Sequence, residues 1–415
     1  MTALAPTPTA PAVLVLGGGT RLPKALRGHG LHVVYGGAPA EFTPSHHDSC
    51  DEALLLTGDE DTWVRRAVAL HRQVPFVRVV TVRERFLTTA ARITHALGLE
   101  GNPLDTVLML KDKSAMREAF DPEQDESAVR ARVMDAPDDV DAFVAGVGLP
   151  VVLKPRDGSG SEGIAVVRDA EDLAAARHRV AARPGVLLAE EFLAGPEFSV
   201  ETFTHGGHHR LLAVTEKFTG DSAVEIGHVV PARVGADDRA ALEAATRRFL
   251  DAIGLIEGPA HTEVILTPRG PRIVESHNRP GGDGIVDLVR HVTGLDIRDL
   301  LAAQVAGAPL PEAAGERVGA AATWFLTAAP GLATEVSGWE EAAGRPGVVA
   351  AVPGTRPGDT VAELRGSDDR CGSVTAVAAT ADDALDRARG ALALVSVRTE
   401  PVPARPHVPE SRATR

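Results

Sequence analysis

Apolar and polar positions follow two different rhythms along this chain. In the N-terminal quarter, short apolar runs at 13–16, 31–35, 53–56 and 76–80 are separated by stretches of helical period, such as 62–72 and 83–97. Runs that are apolar throughout read as strands buried on both faces, and strand–helix alternation predicts a parallel, doubly wound sheet. The first run ends in Gly17-Gly18-Gly19. That turn lacks the G-x-G-x-x-G spacing and the ribose acid that follows it, which argues against a dinucleotide site.

After a break at Gly101-Asn102-Pro103, Lys111-Asp-Lys-Ser-Ala-Met-Arg-Glu-Ala-Phe120 opens a helix, followed by a charged linker at 121–126. An edge strand at 129–134, a helix at 140–147, a strand at 150–154, a returning strand at 164–167, a helix at 170–180 and a strand at 186–190 come next. The rhythm then changes to antiparallel strands at 198–204, 211–218 and 223–230, an amphipathic helix at 237–253, a hairpin over 261–277 and a helix at 285–293. Residues 318–325 begin a smaller C-terminal α/β unit that ends in a long helix, 380–396. This division gives a disordered start at 1–11, an N-terminal domain at 12–105, a central domain at 106–310 with a lid at about 120–187, a C-terminal subdomain at 311–402 and a disordered tail at 403–415.

Composition narrows the class. A chain of 415 residues with 44% hydrophobic and 24% charged positions reads as an ordinary globular protein of two or three domains. Its net charge of −14 argues against nucleic-acid or anionic-membrane partners, yet leaves room for a small anion in a local basic pocket. No apolar stretch is long enough to span a membrane, no signal peptide is visible, and Cys50 and Cys371 form neither a disulfide framework nor a metal spacing. The cytoplasm is therefore the expected location. Of 43 basic residues only five are lysines: Lys24, Lys111, Lys113, Lys154 and Lys217. Where arginine is the default, a lysine marks a position that wants a compact point charge.

Three segments carry chemistry. In the hairpin, Glu263 and Glu275 lie equidistant from Arg269, so a regular hairpin sets them opposite each other on one face. Opposed like charges repel, and a cation between them reverses that effect; oxygen-only ligands beside phosphate suit Mg²⁺. The plainer alternative is a slipped register with two solvated acids. Secondly, Lys154 ends a strand that exits into Pro155-Arg-Asp-Gly-Ser-Gly-Ser-Glu-Gly163, a loop whose glycines and free N–H groups can fold over phosphate oxygens. A lysine on a buried strand demands an anion or a carboxylate. Thirdly, Glu190-Glu-Phe-Leu193 ends a strand and Gly195-Pro-Glu197 turns the chain onward, a segment whose free peptide groups can read an adenine edge.

In this order and spacing, the segments across about 105–300 resemble the ATP-grasp superfamily. The resemblance implies an α/β (α+β) ATP-grasp fold: an N-terminal Rossmann-like domain, a central lid, an antiparallel catalytic sheet and a C-terminal subdomain. It implies ATP and Mg²⁺, two ions with Mn²⁺ able to substitute. Lys113 and Lys154 would contact the α- and β-phosphates. Ser159, Gly160, Ser161 and Gly163 would close over the γ-phosphate. Glu190 and the backbone of Glu191, Phe192 and Leu193 would take adenine, and Glu197 the ribose. Glu263 and Glu275 would hold the metals. Arg279, with Lys154, would act on the transferring phosphate. Many members carry Asn two residues after the second metal glutamate; here that position is His277, and Asn278 is the preferred third ligand because neutral imidazole suits Mg²⁺ less well.

Within the superfamily, Gly258-Pro-Ala-His-Thr-Glu263 with Glu275-Ser-His-Asn-Arg-Pro-Gly-Gly-Asp283 looks most like the L-amino-acid ligase group. Lys217, His228, Arg279 and Gly282 would then wall a pocket for small carboxylate and amine substrates, and His261 would be structural. Dimers are common in the superfamily, so a homodimer is a candidate state. The implied activity is an ATP-dependent carboxylate–amine ligase working through an acyl-phosphate. The alternatives are another ligase or carboxylase of the superfamily, with Arg156 and Arg233 available for a ribose phosphate, and a non-catalytic ATP-binding module.

Overall fold

The computed structural model describes residues 10–120, 125–157, 163–220, 224–313 and 317–401. Most of the expected N-terminal disordered stretch, all of the tail at 403–415, part of the 121–126 linker, and Ser159, Gly160 and Ser161 of the glycine loop lie outside the described residues.

The N-terminal strands β1 (Ala12–Leu16), β2 (His32–Gly37), β3 (Glu52–Leu55) and β4 (Phe76–Val80) form a parallel sheet in the order β3-β2-β1-β4. All five residues of β1 are buried, as expected of a central parallel strand covered by helices on both faces. Gly17 follows with φ +65°, and a Cβ there would lie 2.8 Å from the Phe86 ring. Only glycine turns the chain here without displacing Phe86 from the core beneath Trp63.

The lid is a separate four-stranded antiparallel sheet of β5 (Ala131–Met134), β6 (Val151–Pro155), β7 (Ala165–Val167) and β8 (Leu187–Glu191), in the order β5-β8-β6-β7. It has its own apolar core, with Met134, Leu153, Leu187 and Ala189 packed against Val140 and Phe143 of helix Pro137–Val147 and Ala176 and Val180 of helix Ala170–Ala182.

The largest sheet is antiparallel throughout. It takes β9 (Glu197–His205), β10 (His208–Thr219), β11 (Glu225–Val230), β12 (Glu257–Thr267) and β13 (Gly270–His277), and continues through β14 (Ala320–Leu326). A further small sheet involves β15 (Gly331–Ser337); β16 (Val348–Pro353) returns to the large sheet, β17 (Thr360–Val361) goes to the small one, β18 (Gly372–Ala378) to the large one and β19 (Ser396–Glu400) to the small one. The large order is β13-β12-β9-β10-β11-β14-β18-β16. Strands from beyond residue 311 therefore extend the sheet that carries the hairpin, rather than forming a sheet wholly their own.

The long helix expected at 380–396 stops at Leu392. Thr380 caps its start by accepting from the Asp383 amide, and Asp382 and Asp383 favour the positive end of the helix dipole. At the other end, Ser396-Val-Arg-Thr-Glu400 alternates and pairs antiparallel with β15. The period-2 pattern of its last residues outweighs the helical pattern before it.

The connection from β8 to β9 passes close to the hairpin: the Leu266 amide donates to the Pro196 carbonyl, and a Cβ on Gly195 would lie 2.1 Å from the Leu266 oxygen. Gly195→Ala forces backbone atoms apart at the end of the 190–197 segment. The expected cost is about 1–3 kcal/mol, read as a lowered midpoint in chemical denaturation.

Candidate active site

The hairpin brings Glu263 and Glu275 together in a way its loop alone would not. Thr267 pairs with Gly270, so the loop residues are Pro268 and Arg269, and uninterrupted pairing would set Glu263 against Val274. A bulge after Glu263 adds one residue to β13, and Glu263 faces Glu275. The carbonyl of the bulged Val274 accepts from the guanidinium of Arg117.

Each acid is matched by protein cations. Glu275 has Lys113 Nζ 2.9 Å from Oε2 and His277 Nε2 3.3 Å from Oε1; Glu263 Oε1 has Lys217 Nζ at 2.7 Å and His261 Nε2 at 3.3 Å. Burial alone would push both carboxyls up, but these cations hold them well below the usual carboxylate range. His261 is pushed the other way: burial disfavours its charge, yet Glu201 at 2.6 Å and Glu263 raise it to about 9. Bonded between two carboxylates, its ring is poorly placed to take a proton from a substrate.

Lys217 stands at the centre of the sheet face, with its side chain 1% exposed. Its Nζ is 2.6 Å from Glu197, 2.7 Å from Glu225 and 2.7 Å from Glu263, so one ammonium on β10 gathers acids from β9, β11 and β12. Although burial opposes the charge, the three carboxylates hold Lys217 well above the ordinary lysine range.

Lys154 receives the partner that its burial requires. It pairs opposite Leu188, which makes Glu190 its diagonal neighbour across β6 and β8, and its Nζ is 2.7 Å from Glu190 Oε2 with both side chains 6% exposed. Glu190 Oε1 also accepts from Arg117 Nε at 2.9 Å. The Glu190 side chain is thus committed to two cations, and the Glu191 amide donates to the Arg130 carbonyl. Glu191 is similarly tied to Arg130 and Arg269, while Phe192 is exposed. Lys113 starts helix Lys113–Ala119, whose cap is Asp112, and its amide donates to the Arg156 carbonyl just past β6.

Arg279 and His277 both meet Glu84, which comes from the loop after β4: Arg279 Nε is 2.5 Å and His277 Nδ1 3.2 Å from its Oε2. A cavity of about 190 Å³ is lined by Glu84, Lys217, Glu225, His228, His261, Glu263, Glu275, His277, Arg279, Gly282 and Asp283. The structure thus gathers Lys217, His228, Glu263, Glu275, Arg279 and Gly282 about one space. It separates Asn278 from them: Asn278 lines a different, smaller cavity with Thr81 and Glu257, and His277 is the residue beside Glu275. Alternation along the strand puts 275 and 277 on one face. Gly163 has φ +76°, a conformation open to glycine.

Glu84, Arg117, Glu225 and Asp283 were not singled out in the sequence. A signal existed for Arg117, four residues after Lys113 and so on the same helix face. Glu84 also pairs with Lys111, 27 residues on, but its partners in the cavity, His277 and Arg279, are about two hundred residues away, and no local pattern announces them.

Glu263 and Glu275 fit Mg²⁺: they are part-buried and opposed, their carboxyls are held well below the usual range by the cations beside them, and they offer hard oxygen donors. Glu197, Glu225 and Glu263 also converge within 4.8 Å, but Lys217 already bridges those oxygens. Among the described residues no helix is long and apolar enough to cross a membrane.

Three family models match the chain: an ATP-grasp N-terminal domain over 24–101, an ATP-grasp domain over 147–287 and an L-amino acid ligase C-terminal domain 2 over 324–400. An uncharacterized protein of Sinorhizobium fredii is 26% identical over 388 residues, covering 88% of this chain and 78% of that one. The alanine–anticapsin ligase of Bacillus subtilis is 25% identical over 248 residues, 54% of this chain and 52% of the ligase, so the match spans about half of that relative. Among solved structures, the L-amino acid ligase of Bacillus licheniformis superposes with a TM-score of 0.77 at 21% identity, covering 95% of this chain and 100% of that one. With the matched segments spanning more than half of the chain and the lid and hairpin built as described, the protein belongs to the ATP-grasp superfamily of ATP-dependent ligases that form C–N bonds, and within it resembles the L-amino-acid ligase group.

Proposed function

We propose that the protein joins a small carboxylic acid, most simply an amino acid, to an amine of a second amino acid through an acyl-phosphate, releasing ADP and phosphate. The observation that carries this reading is the cavity in which Glu263, Glu275, Lys217, His228 and Arg279 meet, with Lys113 bound to one of the two opposed glutamates. A carboxylate is a poor acyl donor, and phosphorylation gives it a good leaving group. The chain's part is to align carboxylate oxygen and γ-phosphate and to balance the charge spread over the equatorial oxygens. Lys154 belongs to the lid sheet, Lys113 to the helix that precedes it, and Arg279 lies just past the end of the hairpin. Bound at Glu263 and Glu275, Mg²⁺ would supply charge neutralisation along the phosphates. The amine then attacks the acyl carbon, the C–N bond forms, the C–O bond to phosphate breaks and a proton leaves the nitrogen. The intermediate is water-labile, so the site has to be closed before the chemistry. The glycine loop is the candidate cover.

A purine-type substrate is less well supported. Arg156 is bonded to Asp112, and Arg233 to Glu216 and Asp382, so neither is waiting for a ribose phosphate.

The test is ADP release with Mg²⁺-ATP against single amino acids, amino-acid pairs and small dicarboxylates, with mass spectrometry of the products. The expected result is ADP only with a pair, together with a product whose mass equals the sum less water. ADP with a non-amino-acid carboxylate and no such product would overturn the amino-acid assignment. Binding of ATP without turnover across the panel would count against catalysis by this site.

A further inference from the structure

The wall of the catalytic cavity is partly held from outside the ATP-grasp segment. Between β17 and β18, the loop at 365–370 is pinned by Asp369, whose carboxylate accepts from the amides of Arg365 and Gly366. Ser367 of that loop lines the cavity, and Arg370 at the loop's end contacts two of the cavity's other lining residues, Asp283 and Glu225. The Arg370 side chain is 7% exposed, and all three guanidinium nitrogens are engaged: Nη1 and Nη2 form a fork on Asp283 at 3.0 and 2.6 Å, Nη1 also donates to the Glu225 carbonyl at 3.2 Å, and Nε donates to the Ser367 carbonyl at 2.7 Å. Its carbon lies 3.7 Å from the centroid of the Phe325 ring, a cation–π contact.

Both clamped groups belong to the cavity. Asp283 has φ +53°, a left-handed conformation that costs a residue with a Cβ and persists where the surroundings hold it. It follows Gly281 and Gly282, which impose little stiffness of their own. Glu225 opens β11, directs its carboxylate to Lys217, and precedes His228, which lies 3.7 Å from Asp283 and edge-on to Phe325. A fork of this kind fixes direction as well as distance, which a lysine cannot do.

We propose that Arg370 is a positioning residue: it holds Asp283 and the start of β11 in the geometry that receives one of the two joined substrates, and so gives the C-terminal part a role in substrate affinity. This rests on the ligase reading above. Arg370 acts through Asp283 and β11.

The test compares the wild-type chain with Arg370→Ala, Arg370→Lys and Asp283→Asn. Arg370→Ala is expected to raise KM for one substrate at least tenfold, with KM for ATP and kcat changed less than threefold. Arg370→Lys, which keeps the charge and loses the fork, is expected to fall between Arg370→Ala and wild type. Asp283→Asn is expected to reproduce the KM effect, and the double variant to be no worse than either single one. Amide exchange, measured without substrate, is expected to quicken at 281–285 and in β11 and to stay unchanged in β1–β4. Unchanged substrate KM in Arg370→Ala, or equal losses in ATP KM, substrate KM and kcat, would overturn the proposal. If Arg370→Ala gives no folded protein, Arg370→Lys and Asp283→Asn carry the same readings. If the wild type turns over no amino-acid pair while the exchange change is found, the ligase reading fails and the clamp stands; normal turnover with unaltered exchange sinks the clamp alone.

Discussion

Replacing Glu275 by glutamine is expected to abolish ADP formation, by at least on the order of 10³-fold, or about 4 kcal/mol of transition-state stabilisation. The side chain keeps its shape and an oxygen that can accept from Lys113 Nζ, 2.9 Å away in the native chain. What it loses is the charge opposite Glu263 and between Lys113 and His277. The variant should fold, because the hairpin register rests on the bulge at Val274 and on Arg117, neither of which involves the Glu275 carboxylate. Circular dichroism that overlays the wild type, together with lost turnover, is the expected pair of results. Turnover within tenfold of wild type would remove Glu275 from the chemistry.

Lys217→Met carries the largest expected cost in stability. It leaves Glu197, Glu225 and Glu263 converging on one another with the central ammonium gone. Removing one partner of a buried ionic cluster costs about 3–5 kcal/mol, which corresponds to a fall of roughly 10 °C in the unfolding of the central domain. The pH dependence has a definite sign. Burial already raises the Glu197 carboxyl above its ordinary value, with Glu263 and Glu225 adding to the effect and Lys217 opposing it. Without Lys217 that carboxyl rises further. An acid whose folded pKa exceeds its unfolded one destabilises the fold above the folded pKa, and the penalty fades as pH falls through it. The gap in stability between variant and wild type should therefore narrow from about pH 7 toward about pH 5, read by denaturant titration. A gap that widens on acidification would contradict the account of Lys217 as the ion that offsets repulsion among three converging carboxylates.

Equal spacing about Arg269 is enough to set the two glutamates opposite each other, but it is not what does so in the folded hairpin. Placing the turn centre on Arg269 makes Glu263 and Glu275 equidistant, but the observed loop is Pro268-Arg269, whose centre lies half a residue earlier. The bulge supplies the missing half-step. A bulge is set by side-chain and carbonyl partners distant in sequence, here Arg117, and period-2 patterning does not reveal it. Lys154 was more fully legible: burial of a lysine on a strand requires an anion, and the anion is on the neighbouring strand. Asn278 shows the opposite case. Preference for an amide over an imidazole concerns ligand chemistry, whereas strand alternation decides which residue faces the cavity, and it selects His277. The cavity contacts of Glu84 and Arg370 were out of reach because His277 and Arg279 for the one, and Asp283 and Glu225 for the other, lie far along the chain.

The ladder through β11, β14 and β18 has a consequence for inheritance. The matched ATP-grasp domain ends at 287 and the matched C-terminal domain starts at 324, yet β14 hydrogen-bonds directly to β11, with His228 opposite Thr323. A unit of descent is thus not a unit that folds alone. Exchanging the C-terminal portion for that of a relative is a graft into the middle of a sheet, and a fragment cut between the two matches would leave β11 with an open edge. Recombination among such ligases is then constrained to partners whose β14 presents compatible small side chains, here Ala321 and Ala322, beside the strand that bears Glu225 and His228.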